Sequence, residues 1–415
     1  MSLILNDLDK FIKYNYAITE FYVIINGVSS EFPLEKINSF KIENYFEDAT
    51  FPILKVNLSM EASRYYEILQ NKDNVKFKLR IQSYYKTDNS DSKSMVRDVI
   101  NDIFVIFPDD SNSDYEKERK KEAGTDKDKN DLDSDNPIEL FLFQDKVVNG
   151  MRSLFNGVAH NTNLSTVVTY LLQNAGAKRI LMSPFDNDRI FDNIVLPPQS
   201  IEKQIKYLSN NYGFHESGTL FFIGLMYTYI LNCNGTCTAW DDKDTKETII
   251  YILESNNNKS MLSSTIKKYN DPKNYINALS SNIDITTGSV SSNVITGINA
   301  DIVDLQSGKM DEVEVDASTV GTANKSVIFN NTSNPYLNKT YASLKQSSST
   351  IITIGLRDVS MLAFTPNKNF SVIFESPSLN NKYKGNYRIA SSIYMFSGSE
   401  NNFSVNSVIT LKKVN

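Results

Sequence analysis

Period-two alternation of apolar and polar residues recurs from one end of the chain to the other and constrains the fold more than any other feature. Leu54, Val56, Leu58 and Met60 alternate with Lys55, Asn57 and Ser59, and Val75, Phe77, Leu79 and Ile81 alternate with Lys76, Lys78 and Arg80. The pattern returns in Phe370, Val372 and Phe374, in Tyr387, Ile389, Ser391, Ile393 and Met395, and in Phe403, Val405, Ser407, Ile409 and Leu411. Strand side chains point to opposite faces in turn, so each run reads as a half-buried strand. The apolar run Phe21 to Ile25 ends at Asn26-Gly27, a dipeptide suited to a two-residue hairpin turn. SGSENN at 397–402 reads as the turn between the last two strands.

Helical spacing appears in only three places. Ala62, Tyr65, Tyr66 and Leu69 form a short stripe between two of the strands. Leu164, Val167, Val168, Leu171, Leu172 and Ala175 form the clearest one, with Asn163 where an N-cap belongs and Gly176 where a closing glycine belongs. Ile201, Ile205, Leu208 and Tyr212 form the third after Pro197-Pro198, with Glu202 and Lys206 four apart on the outer side and Gly213 ending it. Leu140 to Phe143 reads as a strand, and Val147 to Val158 as another. Thr219 to Trp240 reads as a hairpin or meander around Asn234-Gly235, and Ile249 to Leu253 as a compact strand.

At 415 residues the chain is long enough for two or three domains. The expected class is α+β, mainly β. A β-domain spans 1–108, a charged insertion 109–136, a helix-containing middle domain 137–240 and a second β-domain 241–415. Within the last, 284–350 is rich in Ser, Thr, Asn and Gly and reads as loops and irregular strands, with weak alternation at Val313 and Val315. Residues 109–135 hold 11 acids and 6 bases. The whole chain carries −6, so the remainder is close to neutral. A segment that polar reads as a flexible insertion, serving either as an acidic interaction arm or as a solvated loop.

Composition excludes several classes. The net negative charge argues against a basic nucleic-acid binder. The longest apolar stretch, Leu220 to Leu231, is shorter than the roughly 18–20 residues of a spanning helix, and the N-terminus has no basic region or cleavage site of a secretory signal. Two cysteines cannot build a disulfide framework.

Chemistry-bearing motifs are equally sparse. There is no G-x-S-x-G elbow, no Walker A loop and no G-x-G-x-x-G fingerprint, and the only histidines are His160 and His215. His215, Glu216, Cys233 and Cys237 form the one tempting cluster. Folding of a hairpin could bring thiolates and imidazole together for zinc. The alternatives are a disulfide between the two cysteines, or two half-buried cysteines beside a turn and a histidine at a strand start. Paired carboxylates for glycoside cleavage leave no sequence signature, and Trp240 alone is a poor carbohydrate platform. No catalytic, cofactor-binding or metal residue is assigned, and no cofactor is expected.

The stretch LPPQSIEKQIKYLSNNYGFHESGTLFF (196–222), preceded by NTNLSTVVTYLLQNAG (161–176), resembles a unit of bacteriophage contractile-tail baseplate hub proteins. In that unit a helix runs through a Tyr-Gly-Phe turn into a strand. SPSLNNKYKGNYRIASSIYMFSG (376–398), followed by a last strand carrying Lys412 and Lys413, resembles the late strand pair of the same family. The hub region of type VI secretion spikes is related. The charged insertion and the 284–350 excursion depart from compact members.

The resemblance implies two tube-like antiparallel β-barrels flanking the helix-containing region. It implies a non-enzymatic structural role, in which a homotrimeric, pseudo-six-fold ring joins the tail tube to the central spike. The partners it implies are copies of the chain itself, the tail tube protein, the central spike protein and other baseplate proteins, with no membrane span and no sequence-specific nucleic acid. Its place would be the virion tail baseplate, assembled in the bacterial host cytoplasm. A tail-associated receptor- or cell-wall-binding protein is the alternative, with recognition on loops around 284–350. A tail-associated wall hydrolase using unmarked carboxylates is the third reading.

Overall fold

A computed structural model describes residues 14–47, 51–85, 95–106, 135–177, 179–215, 219–232, 248–254, 275–279, 282–287, 298–303, 310–315, 325–329, 350–399 and 402–414. Among them strands dominate. The first part of the chain runs β1 (Tyr14–Ile25), β2 (Val28–Glu31), β3 (Ile37–Tyr45), β4 (Ile53–Glu61), α1 (Ala62–Gln70), β5 (Val75–Tyr85), β6 (Met95–Ile106) and β7 (Asp135–Gln144). A middle unit follows with α2 (Asp145–Arg152), β8 (Phe155–Thr162), α3 (Leu164–Asn174), β9 (Ile180–Met182), β10 (Phe191–Gln199), α4 (Ile201–Tyr212), β11 (Thr219–Ile223) and β12 (Thr228–Asn232). The last part comprises β13 (Thr248–Leu253), β14 (Tyr275–Leu279), β15 (Ile283–Thr287), β16 (Ile298–Val303), β17 (Met310–Val315), β18 (Lys325–Phe329), β19 (Thr350–Arg357), β20 (Phe370–Phe374), α5 (Pro377–Tyr383), β21 (Gly385–Ser399) and β22 (Asn402–Lys413).

One 14-stranded sheet takes strands from both ends of the sequence. Within it the pairing runs β21, β3, β4, β7, β6, β5, β1, β22, and β22 then pairs along its length with β21, so eight strands return to their start. Each of these pairings is antiparallel. The inner face carries the main core, including Phe21, Phe40, Leu58, Phe77, Phe104 and Phe396. Phe40 stacks on Phe396 with ring centroids 4.0 Å apart, which locks an early strand to a late one.

The alternation at 54–60 and 75–81 produces β4 and β5 as expected, and Asn26 (φ 50°) and Gly27 (φ 83°) form the turn between β1 and β2. Two consecutive positive φ angles give that turn the twist that a hairpin needs. Helix α1 buries Ala62 and Tyr65 of the expected stripe and packs Leu69 against the core, but it adds Ile68 and leaves out Tyr66. Tyr66 faces outward because Tyr65 already occupies the core side. The strand expected at 147–158 is divided: α2 takes its first half, burying Val147 and Val148, and β8 its second. Consecutive buried valines do not fit a half-exposed strand but do fit a helix lying in a corner.

In β21 the expected inward set of Tyr387, Ile389, Ser391, Ile393 and Met395 holds only as far as Ile389. Ile389 pairs with Leu411 but Ser391 with Thr410, so Ala390 is an extra residue. Beyond it the buried residues are Ser392, Tyr394 and Phe396, and Met395 is exposed. A β-bulge inserts one residue and reverses the facing of everything after it. The bulge falls where β21 exchanges one neighbour for another: β20 pairs with it at 385–387 and β3 at 391–397. The Ala390 carbonyl there accepts a bond from the Phe46 N–H at 2.9 Å. Strand β22 keeps its expected parity throughout, and β21 continues to Ser399, which narrows the turn expected at 397–402.

On the far half of the hairpin a second ladder runs β14, β13, β20, β21, β22, β19, β15. It includes parallel pairs, β13 with β20 and β13 with β14, which the long connections between these strands permit. The first and last strands of this ladder, β14 and β15, are consecutive in sequence. Only residues 280–282 separate Leu279 from Ile283, so the two strand ends lie within about 14 Å. Most of the excursion 284–350 lies outside the described residues. Strands β16, β17 and β18 within it form a small sheet of their own.

Candidate functional site: the junction and the hairpin base

The middle unit has its own core, built from Leu164, Val168, Leu171, Leu172, Ile201, Ile205, Leu208 and Phe214. Its two main helices end as the sequence indicates. Asn163 accepts a bond from the Thr166 N–H at 3.2 Å and caps α3. At the other end Gly176 (φ 88°) allows the Gly176 N–H to reach the Gln173 carbonyl (3.0 Å) and the Ala177 N–H the Leu172 carbonyl (2.9 Å). Gly213 (φ 75°) closes α4, and Phe214 stacks on Phe185 with centroids 4.4 Å apart.

The hairpin β11–β12 joins this core to the main one. Phe222, Tyr229 and Leu231 belong to the main core, whereas Ile230 belongs to the middle core and Phe221 packs against it. Its turn falls at Gly224–Tyr227, not at Asn234-Gly235, which lies outside the described residues. The apolar run 220–231 is therefore two strands. Gly224 is required there, since a Cβ would lie 2.9 Å from the Tyr227 carbonyl oxygen.

Gln144 fixes the hairpin tip: its buried amide donates to Asp102 at 2.9 Å and to the Leu225 carbonyl at 3.2 Å. Lys146 adds an ion pair to Asp102 at 3.3 Å. Beneath the tip lies an apolar cleft of about 70 Å³, bordered by Phe46, Phe222, Met226, Met361, Phe364 and Tyr394. The 359–361 segment at its rim is pinned by Tyr16, whose hydroxyl donates to the Val359 carbonyl and accepts from the Met361 N–H, both at 2.9 Å.

Gln204 plays a similar part under the β8–β10 ribbon. Fully buried in α4, it donates to the Phe155 carbonyl at 2.9 Å and to the Pro197 carbonyl. Sequence reasoning missed both glutamines, because polar residues at core positions interrupt a stripe without announcing a partner. The adjacent prolines were the available signal for Gln204, since they remove donors and leave carbonyls to be satisfied.

Of the sequence-derived chemical candidates, His160 and His215 fall among the described residues. His160 is exposed on β8, with its Nδ1 2.6 Å from Asn193 Oδ1. His215 is 1% exposed, its Nδ1 lying 3.0 Å from Thr219 Oγ1 and its ring edge-on to Phe185. Burial holds the His215 imidazole below its ordinary pKa, against the opposing pull of Asp186 and of the Ser183 and Pro184 backbone. Glu216, Cys233, Cys237 and Trp240 lie outside the described residues. Among the described residues no three His, Cys, Asp or Glu side chains are grouped as metal ligands, and no helix is long and apolar enough to cross a membrane.

Ion pairs concentrate on the outer faces of the ladder. Glu43, 5% exposed, is held between Lys41 and Lys55. Its burial alone would raise its pKa, but the two ammonium groups outweigh that and lower it. At the base of the last hairpin Arg388 and Lys412 sit directly opposite each other. One carboxylate serves both: Glu47 is 2.6 Å from Arg388 and 3.3 Å from Lys412. Lys382 and Lys384 are exposed. The Lys413 side chain crosses Gly385 so closely that a Cβ there would be 2.8 Å from it.

Set beside known proteins, residues 10–414 match the family described as bacteriophage PBS1 gene 109 protein. A tail protein from Neisseria meningitidis MC58 is 10% identical with a TM-score of 0.49, covering 96% of each chain. The 43 kDa tail protein of prophage MuSo2 from Shewanella oneidensis is 11% identical with a TM-score of 0.47, over 94% of this chain and 96% of that one. A Francisella PdpA–VgrG complex in a half-lidded state is 9% identical with a TM-score of 0.47, over all of this chain and 61% of the other. No curated protein matches the chain.

Proposed function

The chain belongs to the bacteriophage PBS1 gene 109 protein family, and from that premise we propose that it is a non-catalytic structural protein of the phage tail baseplate. In this reading it is a hub, three copies of which form a pseudo-six-fold ring between the tail tube and the central spike. The observation that carries the reading is the eight-strand ladder that returns to its own start. Closing a sheet satisfies both of its edges and gives a rigid tube wall.

The second ladder, with its end strands joined by three residues, supports a second barrel that shares the β21–β22 hairpin with the first. Two barrels per chain in a three-fold ring present six similar units to a six-fold tube. The division into 1–108, 109–136, 137–240 and 241–415 is kept on these terms, with β7 and the β21–β22 hairpin completing the first unit. A nearly neutral body suits self-packing, because like-charge repulsion stays small. The partners are further copies of the chain, the tail tube protein, the spike protein and other baseplate proteins, and the location is the virion tail, assembled in the host cytoplasm.

The test is native mass. One chain is 47.0 kDa, and a species of three times that mass, with a central hole in averaged images, is expected alone or when the neighbouring tube and spike proteins are added. A monomer that persists with both partners present overturns the ring. Binding of such a monomer to host cell-wall polymer would favour the receptor-binding alternative.

A further inference from the structure

We propose that Asn26 is a self-modification site: in the folded chain it cyclises onto Gly27 and is hydrolysed to isoaspartate and aspartate ahead of the other described Asn-Gly pairs. The dipeptide stands at 26–27, 149–150, 156–157 and 234–235, and the last of these lies outside the described residues. Asparagine followed by glycine is labile because glycine has no Cβ to shield its nitrogen. In a folded chain the rate depends on whether that nitrogen is free to reach the side-chain carbon.

Of the three described pairs, the first leaves it free. Asn26 and Gly27 are both exposed at the tip of the β1–β2 hairpin, which Ile25 and Val28 close opposite each other. Among the described residues nothing accepts from the Gly27 N–H, and a Cβ built there would meet nothing within 4 Å. Gly150 is instead buried inside α2, where each N–H bonds the carbonyl four residues back. Its surroundings are packed too, with Ala175 and Ile201 atoms 3.4 Å from where a Cβ would lie. Gly157 lies opposite Leu196 in the β8–β10 ladder. The neighbouring Val195 N–H turns away from β8 and donates to the Tyr212 hydroxyl at 2.9 Å. Leu196 and Gly157 are therefore the kind of pair that exchanges both ladder bonds, and the Gly157 N–H is engaged.

The chemistry needs only water. The Gly27 nitrogen bonds to Cγ of Asn26, the Cγ–Nδ2 bond breaks, and the Gly27 proton leaves with the side-chain nitrogen as ammonia. Water then opens the ring at Cγ, giving aspartate, or at the main-chain carbonyl carbon, giving isoaspartate. The amide that is lost also ties the hairpin to the end of α1. Asn26 Nδ2 donates to Asn71 Oδ1 at 3.1 Å, and Asn71 Nδ2 donates to the Glu67 carbonyl at 2.9 Å. Neither product has a side-chain N–H, so Asn71 loses its donor and faces a carboxylate. The Asn26 N–H bond to the Asn74 carbonyl, 3.3 Å long, is then left to hold the tip.

The test is to hold the full chain at mildly alkaline pH and physiological temperature, folded and in urea, and follow each Asn-Gly peptide by mass spectrometry and isoaspartyl methyl-labelling. In urea the pairs at 26, 149 and 156 should convert at similar rates. In the folded chain Asn26 should convert at least tenfold faster than Asn149 and Asn156. Conversion of either of those as fast as Asn26, or an unconverted Asn26 in a folded sample whose urea counterpart has reacted, overturns the proposal. Asn26→Asp reads the consequence without waiting for the reaction. Hydrogen exchange at the Asn71 and Asn74 amides should be at least threefold faster than in the parent, and unchanged exchange at both overturns the release of the tip.

Discussion

Deleting Ala390 tests the bulge, because it is the residue that β21 carries in excess of its partner β22. Without it Ile389, opposite Leu411, would be followed directly by Ser391 opposite Thr410, so the ladder becomes regular and Ser392, Tyr394 and Phe396 keep their inward facing. Tyr394 and Phe396 are each 1% exposed, and Phe396 stacks on Phe40 and meets Tyr16 edge-on, so this part of the core is retained. What the deletion removes is the Ala390 carbonyl that accepts from the Phe46 N–H, and leaving that donor without its partner costs about 1–3 kcal/mol. Domains of this kind have about 5–15 kcal/mol in all. The deletion variant should therefore remain soluble and folded, with faster hydrogen exchange at Phe46 and protection kept at the β3 residues opposite Tyr394 and Phe396. Ala390→Gly keeps the carbonyl and should cost only about 1 kcal/mol. A deletion variant that unfolds, or that loses the protection of β3, would refute the claim that Ala390 is the extra residue.

Three further outcomes follow from the packing. Tyr16→Phe keeps the ring contact with Phe396 but leaves the Val359 carbonyl and the Met361 N–H without the hydroxyl, a loss of about 1–3 kcal/mol in chemical denaturation. Leu208→Asp places a charge at a fully buried site of the middle core and should abolish folding of that unit, read as lost protection in α3 and α4. His215 is held neutral by burial, so its folded pKa lies below the unfolded value of about 6.5. The unfolded chain then binds the extra proton first, so stability present above pH 6.5 declines as pH falls below it. His215→Gln should flatten that acid limb, and an unchanged pH profile would show that other groups control it.

The strands and the capped helices were legible because their signals are local: alternation for β4, β5 and β22, Asn163 and Gly176 for α3. The parity of β21 was not, because Ala390 is chemically unremarkable and only its neighbours on two different strands reveal it as an extra residue. The turn at Gly224 was hidden inside an apolar run, where a single glycine among large apolar residues gives little local signal. The junction was less legible still. Gln144, Gln204 and Tyr16 look like interruptions or ordinary aromatics until partners far away in sequence are in place, and Tyr16 bonds to a residue 343 positions on.

That separation bears on how the chain must fold. Strand β3 needs β21 and β1 needs β22, so both open edges of the early ladder wait for strands that are synthesised far later in the chain. Contacts this distant in sequence form slowly, and open edges meanwhile can pair with other chains. A fragment ending at Glu254 contains every early strand and the whole middle unit, yet lacks the hairpin that closes the ladder. It should form insoluble or oligomeric material, and adding residues 350–415 as a separate chain should recover soluble protein with β3 protected from exchange. If the fragment alone were monomeric and cooperatively folded, the hairpin would be an addition to a finished domain and not the strand pair that completes it.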